Sequence, residues 1–228
     1  MEKIDKNLID PSIEPESEKA HRIVRSILST TPVFGGALVE AFSSIIEPPI
    51  LKRKTEWMVQ VTESLNQIIE SRTNISIKDL SQNEEFVTTL IHASSIALKN
   101  HDKEKLNALK NAVLNTAIDN TVEEHFQILF INLIDSLSSL HFNFLNLLQA
   151  PNEWGNRSDI IFNKQAFDSY EQLIEQAFPN IENEVRSYVL KDLQSKSLVD
   201  IPMMDSKVEK LTTNLGDRFI NYIKEIKT

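Results

Sequence analysis

Glycine occurs only four times in this chain of 228 residues, and that scarcity constrains the fold more than any other feature. Tight hairpin turns and phosphate-wrapping loops need positive φ or very close backbone approach, which glycine supplies. Long helices with short connections need little of either. A mainly α-helical chain is therefore the expectation before any periodicity is read.

The periodicity agrees. Val33, Phe34, Ala37, Leu38, Ala41, Phe42, Ile45 and Ile46 form pairs four apart, a single apolar helical stripe, with Gly35 and Gly36 at its start. Pro48 and Pro49 are expected to stop that helix and begin the next. The second helix runs to about Glu70, with Ile50, Trp57, Met58, Val61, Leu65, Ile68 and Ile69 on one face. Residues 71–81 read as a loop with an extended piece at Ile75–Ile77. Ser81 with Glu84 and Thr121 with Glu124 have capping-box spacing, and Asp102 suits an N-cap. They precede helices ending near Lys99, Thr116 and Gln149. The last, over 122–149, is read as one mostly buried helix rich in Phe, Leu and Ile. A break at Pro151–Arg157 follows, then helices near 164–178 and 182–196, extended pieces at 197–201 and 208–211, and a closing helix opened by Thr212 and Thr213.

These elements predict a flexible leader over 1–16, a helical bundle over 17–149 starting with a short helix at 17–29, and a C-terminal region over 150–228 that shares helix 122–149. Apolar residues at 41% and charged residues at 25% suit a folded chain. The net charge of −9 disfavours non-specific binding of the whole molecule to nucleic acid or anionic lipid. With no cysteine there can be no disulfide, zinc thiolate or cysteine nucleophile. The first residues mix acids with lysines and carry no apolar signal core, and no apolar run reaches transmembrane length, so a cytoplasmic chain is expected.

Catalytic signatures are missing from the sequence. None of the five histidines stands in an H-E-x-x-H arrangement, and Glu18-Lys19-Ala20-His21 is the sole E-x-x-H, with no second such pair to complete a site. His125 and His141, sixteen apart on one expected helix, would point about 160° apart. No G-x-S-x-G elbow frames a serine, and Gly35-Gly36 lacks the glycine spacing and lysine of a phosphate loop. No enzyme activity, cofactor or metal is expected.

Two resemblances add to this reading. Three helical segments followed by Ser197-Leu198-Val199, a short hairpin and then Thr213, Gly216 and Phe219 resemble a winged-helix domain, over roughly residues 140–226. Ser197 stands where such domains commonly have glycine. The resemblance implies a small β-hairpin and makes 182–196 the recognition helix, with Arg186, Lys191 and Lys196 as its cations. Residues 181–228 hold eight acids and eight bases, so electrostatics favour a protein-binding role over DNA reading. Pro32-Val33-Phe34-Gly35-Gly36-Ala37 and the Pro48-Pro49 segment with Lys52, Arg53 and Lys54 resemble bacterial helical proteins of the Abi-alpha kind, which implies a link to phage abortive infection.

The leading expectation is a non-enzymatic protein-interaction or scaffold protein in bacterial stress or phage defence. Its rivals are a transcriptional regulator acting through the winged helix and a membrane-associating effector using helix 33–46 with Lys52, Arg53 and Lys54.

Overall fold

The computed structural model describes residues 36–72, 75–118, 122–157, 170–201 and 210–226. Most of these residues are helical, as the glycine count and periodicity predict. The leader, the expected helix at 17–29, and the side chains of residues 36–44, including Phe42, lie outside the described residues. The described chain forms two compact units, divided between Ile131 and Asn132.

The first unit is built on α1 (Gly36–Ser71), α2 (Ile77–Gln82), α3 (Glu84–Lys99) and α4 (Lys103–Ile118). Two expected helices are one: α1 runs straight through Pro48 and Pro49. Each proline lacks the N–H that would bond four residues back, so the carbonyls of residues 44 and 45 lose those partners. Proline's φ near −65° is nonetheless helical, and the segment after it is held by packing. Trp57, Val61, Leu65, Ile68 and Ile69, spaced by three and four, are buried, whereas Ile50 is half-buried and Met58, expected on the same face, is exposed.

Residues 77–82, expected as part of a loop, form α2. Its N-cap Ser76 accepts the Asp79 N–H at 3.2 Å. The cap of α3 is Asn83, not Ser81: Asn83 Oδ1 accepts the Phe86 N–H at 2.9 Å, while the Ser81 hydroxyl donates to the Lys78 carbonyl. Asp102 caps α4 as expected, accepting from the N–H groups of Glu104 and Lys105. Helices α3 and α4 pack against each other through Ala93 and Ala97 on one side and Ala108, Leu109, Ala112 and Val113 on the other. Small side chains there let the two backbones approach closely. Thr89 on α3 donates to the buried Gln127 side chain at 3.2 Å, and Gln127 in turn donates to the Val122 carbonyl at 2.7 Å.

The long helix expected over 122–149 is two: α5 (Glu124–Ser136), within which the unit boundary falls, and α6 (Ser139–Gln149). The cause is the serine cluster. Serine hydroxyls compete for backbone groups: that of Ser136 donates to the Leu133 carbonyl, and Ser138 takes an extended conformation as the N-cap of α6.

In the second unit α6 is central, with Phe144, Leu145, Leu147 and Leu148 fully buried. Around it lie α7 (Pro151–Arg157), α8 (Tyr170–Ala177), α9 (Asn183–Ser195) and α10 (Asn214–Ile223). The segment Pro151–Arg157, expected as a break, is itself a short helix with Pro151 at its first position, where a missing N–H costs nothing. Phe178 stacks on Phe144 with ring centroids 4.6 Å apart and is flanked by Trp154 at 5.4 Å.

Helix α9 closes in a Schellman motif. Leu198 N–H donates to the Leu193 carbonyl and Ser197 N–H to that of Gln194. Ser197 sits at φ 57°, the left-handed conformation that makes glycine common at this place. The β-hairpin expected after it is not present among the described residues. Pairing there is one antiparallel bridge, Val199 with Thr212, flanked by Asp200 N–H to Leu211 O at 2.8 Å and Thr213 N–H to Leu198 O at 3.1 Å. Regular pairing cannot extend on the Leu198 side, because α9 ends at Ser195 and α10 begins at Asn214. Thr213 caps α10 by accepting the Gly216 N–H at 3.0 Å; of Phe219, Ile220, Tyr222 and Ile223, which the sequence pattern turns inward, the first three are buried and Ile223 is half-buried. Gly216 lies inside α10 and not in a turn. Its requirement is steric: a Cβ there would sit 2.1 Å from the Leu198 carbonyl oxygen.

Candidate functional site

Between α1 and α3 of the first unit lies an open apolar groove of about 760 Å³. Its α1 wall is formed by Ile46, Pro49, Ile50 and Arg53, which recur at helical spacing on one face. From α3 come Leu90, Ile91 and Leu98, with Ser94 and Ser95 in mid-row. Ile45 and Ile91 are 70% and 63% exposed, unusual for side chains of that size.

The groove exists because α3 has two apolar stripes. One, through Phe86, Thr89, Ala93, Ile96 and Ala97, is buried in the unit. The second, Leu90, Ile91 and Leu98, faces the groove. Its floor is fixed by the indole N–H of buried Trp57, which donates to Ser94 Oγ at 2.9 Å. Arg53 is held beside it by an N–H to the Leu98 carbonyl at 3.5 Å. Among the described residues no carboxylate lines this groove; Arg53 and Lys99 do. Neighbouring Lys52 is exposed, with Glu56 at 3.8 Å, and Lys54 is partly exposed. The structure thus brings Arg53 of the expected basic cluster to an apolar surface. The α3 residues were missed, although an apolar residue count too large for one helical face was legible.

The expected recognition-helix cations fare differently. The Arg186 side chain is only 12% exposed, donates to the Phe178 carbonyl at 3.3 Å and lies 3.6 Å from Glu175. Lys196 is bound to Asp192 at 2.8 Å. Lys191 is exposed, on a face shared with Glu184 and Tyr188. Two of the three cations hold the fold together.

A Ser, His and Asp do meet in the second unit. His141 Nδ1 accepts the Ser138 N–H at 3.2 Å, with the Ser138 hydroxyl at 2.7 Å, and Nε2 faces Asp192 Oδ2 at 3.3 Å. The Ser138 N–H and hydroxyl converge on Nδ1, and the imidazole tautomer sets whether that hydroxyl donates or accepts. Ser138 and His141 form a capping box at the start of α6, and His141 links it to Asp192 of α9. A second polar cluster centres on Asp217, which accepts from Lys210, Thr212 at 2.7 Å and Gln149 at 3.4 Å. Partial burial pushes its carboxyl pKa up, but these donors outweigh burial and hold it below its ordinary 3.8.

Among the described residues no group of three or more His, Cys, Asp or Glu is placed to hold a metal ion. No helix among them is long and apolar enough to cross a membrane on its own. Comparison with protein-family models, curated proteins and solved structures returns no match.

Proposed function

We propose that this chain is a non-enzymatic protein-interaction module that docks a protein partner in the α1–α3 groove, acting in the bacterial cytoplasm as part of stress or phage defence. The groove carries the reading. Two large isoleucines exposed beside an apolar channel are an aggregation liability unless something covers them, and a partner would. The defence role rests on the resemblance carried by Pro32–Ala37, Pro48-Pro49 and Lys52–Lys54. The second unit is read as a winged-helix-like support. What supports that is its order of helices, the Val199–Thr212 bridge, and the Thr213, Gly216 and Phe219 pattern at the start of α10.

DNA reading by α9 is disfavoured because Arg186 and Lys196 are engaged within the unit and Lys191 shares its face with Glu184. The test places a photo-crosslinking residue at position 95, and separately at 191, in the full chain in its host. A single protein adduct from position 95, lost with Ile91→Asp, is the expected result. Salt-dependent binding to duplex DNA through position 191, or sedimentation with anionic vesicles that Ile91→Asp abolishes, would replace this reading with one of its rivals.

A further inference from the structure

We infer that the occupant of the α1–α3 groove is one amphipathic helix of the partner, with a bulky apolar anchor on its buried face and carboxylates on its flank. This rests on the docking reading above and names its ligand.

The anchor follows from shape. Along α3 the rows Leu90–Ser94–Leu98 and Ile91–Ser95 place two serines where the flanking positions are large. Serine's side chain is smaller than leucine's by two heavy atoms, so the wall dips at its centre. Because the Trp57 indole holds Ser94 Oγ from the side of α1, the exposed position in the dip is Ser95. A single large side chain entering a notch between apolar rims is the usual anchor of a helix laid in a groove.

The flank follows from charge. The chain carries a net charge of −9, yet the groove's charged lining residues are Arg53 and Lys99; adjoining them on α1 are Lys52, paired with Glu56, and Lys54, which shares its flank with Glu47. A guanidinium offers five donors, and one contact to the Leu98 carbonyl orients the group beside the channel. Carboxylates on the incoming helix would meet both cations. A basic helix would meet like charge at the groove, although the rest of the chain would attract it. An acidic bilayer would be repelled by the molecule as a whole.

The test uses the full chain and fluorescein-labelled synthetic peptides about 18 residues long, enough for an isolated helix. One carries leucines at helical spacing around a central Trp with glutamates on its flanks; its twin has lysines in place of the glutamates. Fluorescence anisotropy at low salt is expected to show the acidic peptide binding about tenfold more tightly than the basic one, from two rim contacts that change sign. Lys99→Glu should shrink or reverse that preference. Ser95→Phe, which fills the notch at an exposed position, should abolish binding of both peptides without moving the melting temperature. If the basic twin binds as well or better, and both are still lost in Ser95→Phe, the acidic flank is wrong while the docking reading stands. If neither peptide binds, or binding survives Ser95→Phe and Ile91→Asp, the helix-in-groove inference is overturned. Loss of crosslinking at position 95 in the preceding experiment would remove the docking reading itself.

Discussion

Replacing Gly216 with alanine should destabilise the second unit even though alanine is the better helix former. The added Cβ would lie 2.1 Å from the Leu198 carbonyl oxygen, against a practical minimum of 3.0 Å, so helix and loop must separate by about 0.9 Å. That oxygen accepts the Thr213 N–H at 3.1 Å, and Thr213 is also the cap whose hydroxyl accepts from the Gly216 N–H. Separation on that scale stretches the first bond beyond hydrogen-bonding range and strains the cap. Losing a buried backbone bond costs about 1–3 kcal/mol where the acceptor stays dry, and weakening the cap costs roughly another 0.5–1. Against this, alanine gains at most about 1 kcal/mol in helix propensity. The balance is a net loss of about 0.5–3 kcal/mol. Urea denaturation followed by circular dichroism measures it, with Asn221→Ala on the exposed side of the same helix as a control for propensity. If Gly216→Ala matches or exceeds the wild type in stability, the close approach of α10 to Leu198 is wrong.

Three further outcomes follow from single observations. Ser197→Gly should stabilise by about 0.5–1 kcal/mol, because Ser197 holds φ 57° and glycine relieves that strain at some entropic cost; a destabilised variant in the same urea assay would contradict the Schellman geometry. Trp57→Phe should cost about 1–3 kcal/mol, since it removes the donor to Ser94 and part of a buried side chain, and a neutral result would show that the floor of the groove is not set by that bond. Asp217 has a depressed folded pKa, so its contribution is fully present above its unfolded value near 3.8 and is lost as pH falls through the lower folded value. Melting temperatures taken from pH 6 downward should therefore fall in that acid range, and Asp217→Asn should flatten this part of the curve; an unchanged acid limb would refute the role of Lys210, Thr212 and Gln149 as its donors.

Helical class was written into the sequence by local rules alone. Few glycines, apolar residues at spacings of three and four, and caps such as Asp102 and Thr213 act within a few residues of themselves and need no partner. The start of α10 and its buried Phe219, Ile220 and Tyr222 were readable in this way. Where local signals compete, tertiary structure decided. Pro48 and Pro49 carry a helix-stop signal, yet α1 continues through them. The Phe- and Leu-rich segment 122–149 has unbroken periodicity, yet Ser138 takes an extended conformation, and with His141, which faces Asp192 of α9, it caps a separate helix. The candidate site lay furthest from view. Lys52, Arg53 and Lys54 could be singled out as a cluster, but only packing decides which cation meets an apolar wall and which of α3's two apolar stripes is buried. The same holds for Arg186 and Lys196, whose charge is visible in sequence while their engagement with Phe178, Glu175 and Asp192 is not. Charge and periodicity are properties of a segment; exposure is a property of what packs on it.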